Sequence, residues 1–233
     1  METERRARDR DAEIEIRDPA GPNGLYKCCH AICAAVMYSY LGLRVRGRGR
    51  VPRRGGAVIA SNHVSFMDPV AVGVAAPRPI AFLARHSLYR SRAFGRLILG
   101  LNAYPLPREN ASTGAIKRAL KLLEAGWAVL VFPEGTRSPD GAPRAFRGGL
   151  ALLAAKARVP VIPAGVRGAF EAWPRGRVFP RPGKVTVAFG PLILYDDKSD
   201  TYDSFTERVA RAVGALAGHA PASPGTAPGA AQS

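Results

Sequence analysis

Residues 57–69 read Ala-Val-Ile-Ala-Ser-Asn-His-Val-Ser-Phe-Met-Asp-Pro, and the apolar run Val70 to Ala76 follows at once. Four small apolar residues, Ala57-Val58-Ile59-Ala60, suit a fully buried strand, and the later run suits a helix. His63 and Asp68 therefore fall at a strand-to-helix junction. An imidazole titrates near working pH, and a carboxylate beside it can fix its tautomer and stabilise the imidazolium. In a regular helix, five residues turn through about 500°, which leaves side chains five apart about 140° out of line. The two groups can meet only if His63 precedes the helix and Asp68 reaches back from its first turn. Pro69 is favoured at helix starts and disfavoured inside them, so the helix is expected to begin near Asp68.

Working outward, strand and helix patterns alternate. Strands are expected at 57–61, 80–84, 128–132, 161–166 and 184–189, and helices at 69–76, 91–101, 112–125, 148–157 and 200–217. In the helix at 112–125, Ile116, Ala119, Leu120 and Leu123 face one way while Lys117, Arg118 and Lys121 face another. Such alternation implies an α/β fold with a central mixed, mostly parallel sheet flanked by helices. The run KVTVAF at 184–189 alternates in polarity and is expected to join the sheet as an antiparallel strand.

The flanks differ in character. Residues 1–24 carry seven acids and five bases and are broken by Pro19, Gly21 and Pro22, which reads as a flexible charged leader rather than a signal peptide. In residues 25–43, Leu25, Cys29, Ile32, Val36, Tyr40 and Leu43 recur at helical spacing, while Lys27, His30, Ser39 and three tyrosines dilute the stretch. At 19 residues it suits a membrane-associated helix lying in the interface better than one that spans. Packing on the protein's own core is the alternative. Residues 44–217 form the main domain, and the small, proline-rich residues 218–233 are expected to be a disordered tail. There is no internal repeat.

The formal net charge is +16, from 34 basic and 18 acidic residues, of which only six are lysine. With the leader at −2, the remaining body carries +18, which suits an anionic partner such as a membrane, nucleic acid or phosphorylated substrate. Six arginines crowd into residues 44–54 and offer either a grip on lipid head groups or an edge strand followed by a loop. Cys28, Cys29 and Cys33 are odd in number and crowded together, which argues against a disulfide framework; with His30 among them, they read as reduced packing residues and no metal site.

A second polar cluster follows the apolar run Ala128 to Val131: Phe132-Pro133-Glu134-Gly135-Thr136-Arg137-Ser138. In open α/β sheets, ligands bind beyond the carboxyl ends of strands. One strand end thus offers a proton-handling pair, and the other offers a carboxyl and a guanidinium fork suited to phosphate. Bland roles exist for each: a capping carboxylate for Asp68, an exposed turn for Glu134 and a structural ion pair for Arg137. No G-x-S-x-G elbow is present and no cysteine adjoins His63 in sequence, so direct attack by a substrate alcohol is simpler than a covalent acyl-enzyme.

Taken in order, the N-H-x-S-x-x-D block from Asn62 to Asp68, the stretch Gly100 to Arg108 ending Pro-x-x-Arg, the block Phe132 to Ser138 and Val159 to Gly165 (VPVIPAG) make the chain resemble the glycerolipid acyltransferases. That family is typified by 1-acylglycerol-3-phosphate acyltransferases, and the resemblance covers roughly residues 40–195. It implies His63 and Asp68 as the catalytic pair, with Glu134, Gly135, Thr136, Arg137 and Arg108 at the substrate. It also implies an acyl-CoA or acyl carrier protein thioester as donor, lysophosphatidate as acceptor, no further cofactor, and a place at the cytoplasmic face of an anionic membrane. Other acceptors, such as glycerol-3-phosphate, lysophospholipids or lyso-ornithine lipids, remain open. Backbone amides at Gly135-Thr136 or along Val159–Gly165 are candidates to hold an oxyanion. A non-enzymatic basic binding protein is the competing class. No nucleic-acid module or aromatic-interleaved basic stripe supports nucleic acid as a partner.

Overall fold

A computed structural model describes residues 16, 18–19, 23–106, 111–174 and 176–219. Most of the 1–24 leader, the tail from residue 220 and Arg108 lie outside the described residues. Among those described, the strands are β1 (Arg44–Arg46), β2 (Ala57–Ser61), β3 (Ile80–Ala84), β4 (Ala103–Pro105), β5 (Ala128–Val131), β6 (Val161–Arg167) and β7 (Thr186–Phe189). The helices are α1 (Gly24–Ser39), α2 (Asp68–Ala75), α3 (Arg92–Gly100), α4 (Ala111–Glu124), α5 (Gly149–Ala157), the short α6 (Ala169–Ala172) and α7 (Tyr202–Ala217).

The strands form one sheet in the order β1-β7-β6-β2-β5-β3-β4. From β6 to β4 every neighbour is parallel. β7 runs antiparallel to β6, as the alternation in KVTVAF implied, and β1 runs parallel to β7. Helices cover both faces. On one face, Ile59, Leu130 and Ile162 meet Met37 of α1 and Ala71 and Val72 of α2. On the other, Val58, Val129 and Val161 meet Leu122 of α4, Leu150 of α5 and Phe205 and Val209 of α7, with Ile16 packed alongside. This two-sided burial explains why β2 is apolar without alternation.

The parallel arrangement puts the ends of β2 and β5 side by side, with Ala60 paired to Val131. Both therefore deliver their following loops to the carboxyl-terminal end of the sheet. Gly165 lets α7 seat against β6: a Cβ there would stand 2.3 Å from the backbone carbon of Leu216.

The helix expected over 25–43 ends at Ser39, short of Leu43. Gly42 adopts φ +51°, and the Leu41 carbonyl accepts the Val185 amide at 3.0 Å, so the chain has already turned toward the sheet. Sixteen residues span about 24 Å, and no helix among the described residues is long and apolar enough to cross a membrane. α1 is apolar on two sides. Cys33, Ala34 and Met37 pack on the core, while Ile32, Val36 and Tyr40 are exposed at spacings of four.

The arginine run divides as well. Arg44 and Arg46 are exposed on the edge strand β1, whereas Arg48 and Arg50 donate to the carbonyls of Ala76 and Phe189 at 3.1 and 2.9 Å. Part of the run thus fastens the chain instead of facing a partner.

Candidate active site

Beyond β2, the backbone runs through Asn62 to His63 before α2 begins at Asp68. Asn62 extends the sheet with its side chain: its Nδ2 donates to the Val166 carbonyl at 3.0 Å, and its Oδ1 accepts the Val166 amide at 2.8 Å. These paired bonds tie the start of the loop to β6. Asp68 is fully buried in the first turn of α2 and turns its carboxylate back over the loop. Its Oδ2 accepts the amides of Val64 and Ser65, both at 2.7 Å, and lies 2.9 Å from His63 Nδ1.

That triple contact fixes the tautomer. Oδ2 already takes two amide protons and serves as an acceptor, so the ring must present Nδ1–H to it. Nε2 then carries the free lone pair. The geometric condition set by the five-residue spacing is met, with His63 in the loop and Asp68 reaching back. The carboxylate serves the loop preceding the helix and does not act as a conventional helix cap. Phe132 stacks on the imidazole, centroids 4.0 Å apart and planes 16° from parallel, and so sets the ring's orientation.

The β5 loop is locked to this unit by two bonds. The Ser138 amide donates to the His63 carbonyl at 2.8 Å, and the His63 amide donates to Glu134 Oε1 at 3.3 Å. Glu134 is 4% exposed, and its Oε2 has no hydrogen-bond partner among the described residues. Burial pushes its carboxyl from 4.5 up to about 7, against the pull of the His63 amide, while the nearby Asp68 charge adds to the rise. Near neutral pH this carboxyl can both accept and donate.

Gly135 makes the turn at φ +73°, and a Cβ there would stand 2.8 Å from the Arg147 guanidinium carbon. The Gly135 amide donates inward to the Phe132 carbonyl at 3.0 Å, which removes it as an oxyanion donor. Thr136 is half-buried beside it. The Arg137 guanidinium lies over the exposed Phe66 ring, 3.4 Å from its centroid, a stacked arrangement that orients the fork. Phe66 in turn lies 6.0 Å from Trp173, whose carbonyl accepts from the Ser65 hydroxyl at 2.8 Å.

The structure thus gathers His63, Asp68, Glu134, Gly135, Thr136 and Arg137 at the carboxyl ends of β2 and β5; Arg108 lies outside the described residues. The expectation that Val159–Gly165 supplies oxyanion amides is corrected. Val161–Arg167 is strand β6, and its amides serve the sheet: that of Val161 donates to Ile193, and Gly165 pairs with Ala188. Asn62, Phe132, Phe66 and Trp173 were missed as contributors. The first three lie inside the Asn62–Asp68 and Phe132–Ser138 blocks, where their polarity and ring size were visible. Trp173 lies 108 residues from Ser65, and no local pattern announces the contact. Among the described residues, no group of three or more His, Cys, Asp or Glu side chains is placed to hold a metal.

Comparisons with known proteins agree with this geometry. A family model described as "Acyltransferase" matches residues 42–167. A 1-acyl-sn-glycerol-3-phosphate acyltransferase of Bacillus subtilis (strain 168) is 28% identical over 167 residues, 71% of this chain and 81% of that protein. One from Limnanthes douglasii is 29% identical over 185 residues, 77% of this chain but 65% of its own length. The crystal structure of the 1-acyl-sn-glycerophosphate (LPA) acyltransferase PlsC from Thermotoga maritima superposes with a TM-score of 0.66 at 25% identity, covering 91% of this chain and 85% of that one. The matched stretch takes in both strand-end loops and more than half of the sequence, and on that basis the chain belongs to the acyltransferase family.

Proposed function

We propose that this protein moves a fatty acyl chain from acyl-CoA or acyl carrier protein to the free hydroxyl of a 1-acylglycerol-3-phosphate, giving phosphatidate. The observation that carries the reading is the His63–Asp68 dyad bonded directly to the Glu134–Arg137 loop. His63 Nε2 takes the proton of the acceptor hydroxyl as its oxygen attacks the thioester carbonyl, and Asp68 stabilises the imidazolium. The tetrahedral intermediate collapses with loss of thiolate, and the imidazolium returns the proton to sulfur. Arg137 holds the acceptor's phosphate with its planar fork, and Glu134 Oε2 meets the glycerol backbone. Several relatives bear the 1-acyl-sn-glycerol-3-phosphate acyltransferase name, which supports this acceptor.

The enzyme works at a cytoplasmic membrane surface. The outward stripe Ile32, Val36 and Tyr40 supports contact by α1, since this face is apolar and uncovered among the described residues. The exposed Arg44 and Arg46 at the adjoining strand suit anionic head groups.

Purified protein is incubated with radiolabelled acyl-CoA or acyl carrier protein and a panel of acceptors. Thiol release and labelled phosphatidate that depend on lysophosphatidate support the proposal. Turnover confined to glycerol-3-phosphate, another lysophospholipid or a lyso-ornithine lipid overturns the acceptor assignment. A folded His63→Ala protein retaining near-normal transfer refutes the mechanism, because loss of a general base is expected to cost about 10²–10⁴-fold.

A further inference from the structure

The two most exposed large apolar side chains among the described residues are adjacent: Val178 at 74% and Phe179 at 76%. They form the tip of the loop joining α6 to β7. Residues 173–184 (WPRGRVFPRPGK) contain four basic residues and no acid. Arg177 and Arg181 are exposed on either side of the apolar tip in sequence, and Lys184 is exposed where the chain enters β7. An apolar tip flanked by cations suits a surface with negative head groups over hydrocarbon.

The loop is braced from within. The Trp173 indole N–H donates to the Arg177 carbonyl at 2.7 Å, and Arg177 Nε donates to the Phe179 carbonyl at 3.1 Å. The Arg181 amide closes the base on the Ala172 carbonyl at 2.8 Å. Presenting Val178 and Phe179 therefore requires little further ordering, which favours binding.

The Tyr40 hydroxyl, at the end of the exposed α1 stripe, donates to the Pro180 carbonyl at 3.2 Å. The loop and α1 thus meet side by side. At its base, Trp173 contacts Ser65 and Phe66 beside the dyad. We infer that the tip at 176–181 is a second lipid-binding element, inserting Val178 and Phe179 into an anionic bilayer while Arg177 and Arg181 engage head-group phosphates. This rests on the membrane-surface reading above. It adds a contact on the far side of Tyr40 that fixes how the active-site end of the sheet faces the lipid.

The test uses full-length protein and vesicles of phosphatidylcholine with or without 30% phosphatidylglycerol. In Phe179→Trp, the extra emission is expected to shift to the blue on anionic vesicles and to be quenched by shallowly brominated lipid. Subtracting the wild-type signal removes Trp127 and Trp173. Val178→Ser/Phe179→Ser is expected to keep its melting temperature and lower vesicle partitioning about tenfold or more. Vesicle-bound Phe179→Trp that stays unquenched and unshifted overturns the inference while leaving the membrane reading standing. Absence of vesicle binding by the wild type overturns both. Self-association in lipid-free buffer, abolished by the double substitution while vesicle binding is unchanged, assigns the tip to a second copy of the chain and also overturns the inference.

Discussion

Replacing Glu134 with Gln isolates the energetic consequence of burying a carboxyl between the two loops. Gln retains an oxygen to accept the His63 amide, so the bond that joins the loops can persist. What disappears is the titration. In the unfolded chain the Glu134 carboxyl loses its proton near pH 4.5, whereas in the native protein burial holds it to about 7. Stability from the protonated form is therefore fully present below pH 4.5 and is lost as pH rises through about 7. Each pH unit in that interval costs about 1.4 kcal/mol, so the whole is worth about 3 kcal/mol. Urea unfolding of wild type and Glu134→Gln at steps from about pH 4 to 8.5 reads this directly, because other carboxylates cancel in the difference. The variant's stability relative to wild type is expected to rise by about 3 kcal/mol across the range, mostly between about pH 5 and 7. A difference that stays constant within about 0.5 kcal/mol refutes the claim that native Glu134 holds its proton to near neutrality.

Asp68→Asn removes the charge that anchors three N–H donors, and with it the fixed tautomer of His63. Acyl transfer is expected to fall about 10²–10⁴-fold, and a rate within threefold of wild type contradicts the dyad. Arg137→Lys replaces the planar fork stacked on Phe66 with a point charge; the KM for the phosphorylated acceptor is expected to rise about tenfold while thermal melting is unchanged. Gly165→Ala drives a Cβ to 2.3 Å from the α7 backbone, and calorimetry or urea unfolding is expected to show a loss of about 2 kcal/mol or more.

The fold was legible because its chemistry is local. Ala57 to Ala60 and Ala128 to Val131 are too uniformly apolar to face water on either side, and each is followed by the polar residues of a strand end. The five-residue interval between His63 and Asp68 demanded a loop before the helix, which α2 provides by starting at Asp68. Other features were hidden for equally physical reasons. β4 has three residues at the sheet edge, too few to show a period, and its order comes from pairing with β3. The end of α1 at Ser39 depends on Leu41 binding the Val185 backbone, a partner distant in sequence. Val159–Gly165 carries the prolines and glycine of a loop, but the β6 ladder recruits most of it into the sheet. At the site, residue types suggested what each group does, but not that Glu134 would hold the backbone of His63 or that Trp173 would approach Ser65.

The two bonds between the β2 and β5 loops, Ser138 to His63 and His63 to Glu134, make the His63–Asp68 pair and the loop that carries Arg137 one mechanical piece. A change that displaced either loop would be felt by the other at once. The exposed side chains of Val178 and Phe179 lie outside that knot. Substitution at that tip therefore leaves the two joined loops in place, whereas loss of either bond between them shifts both.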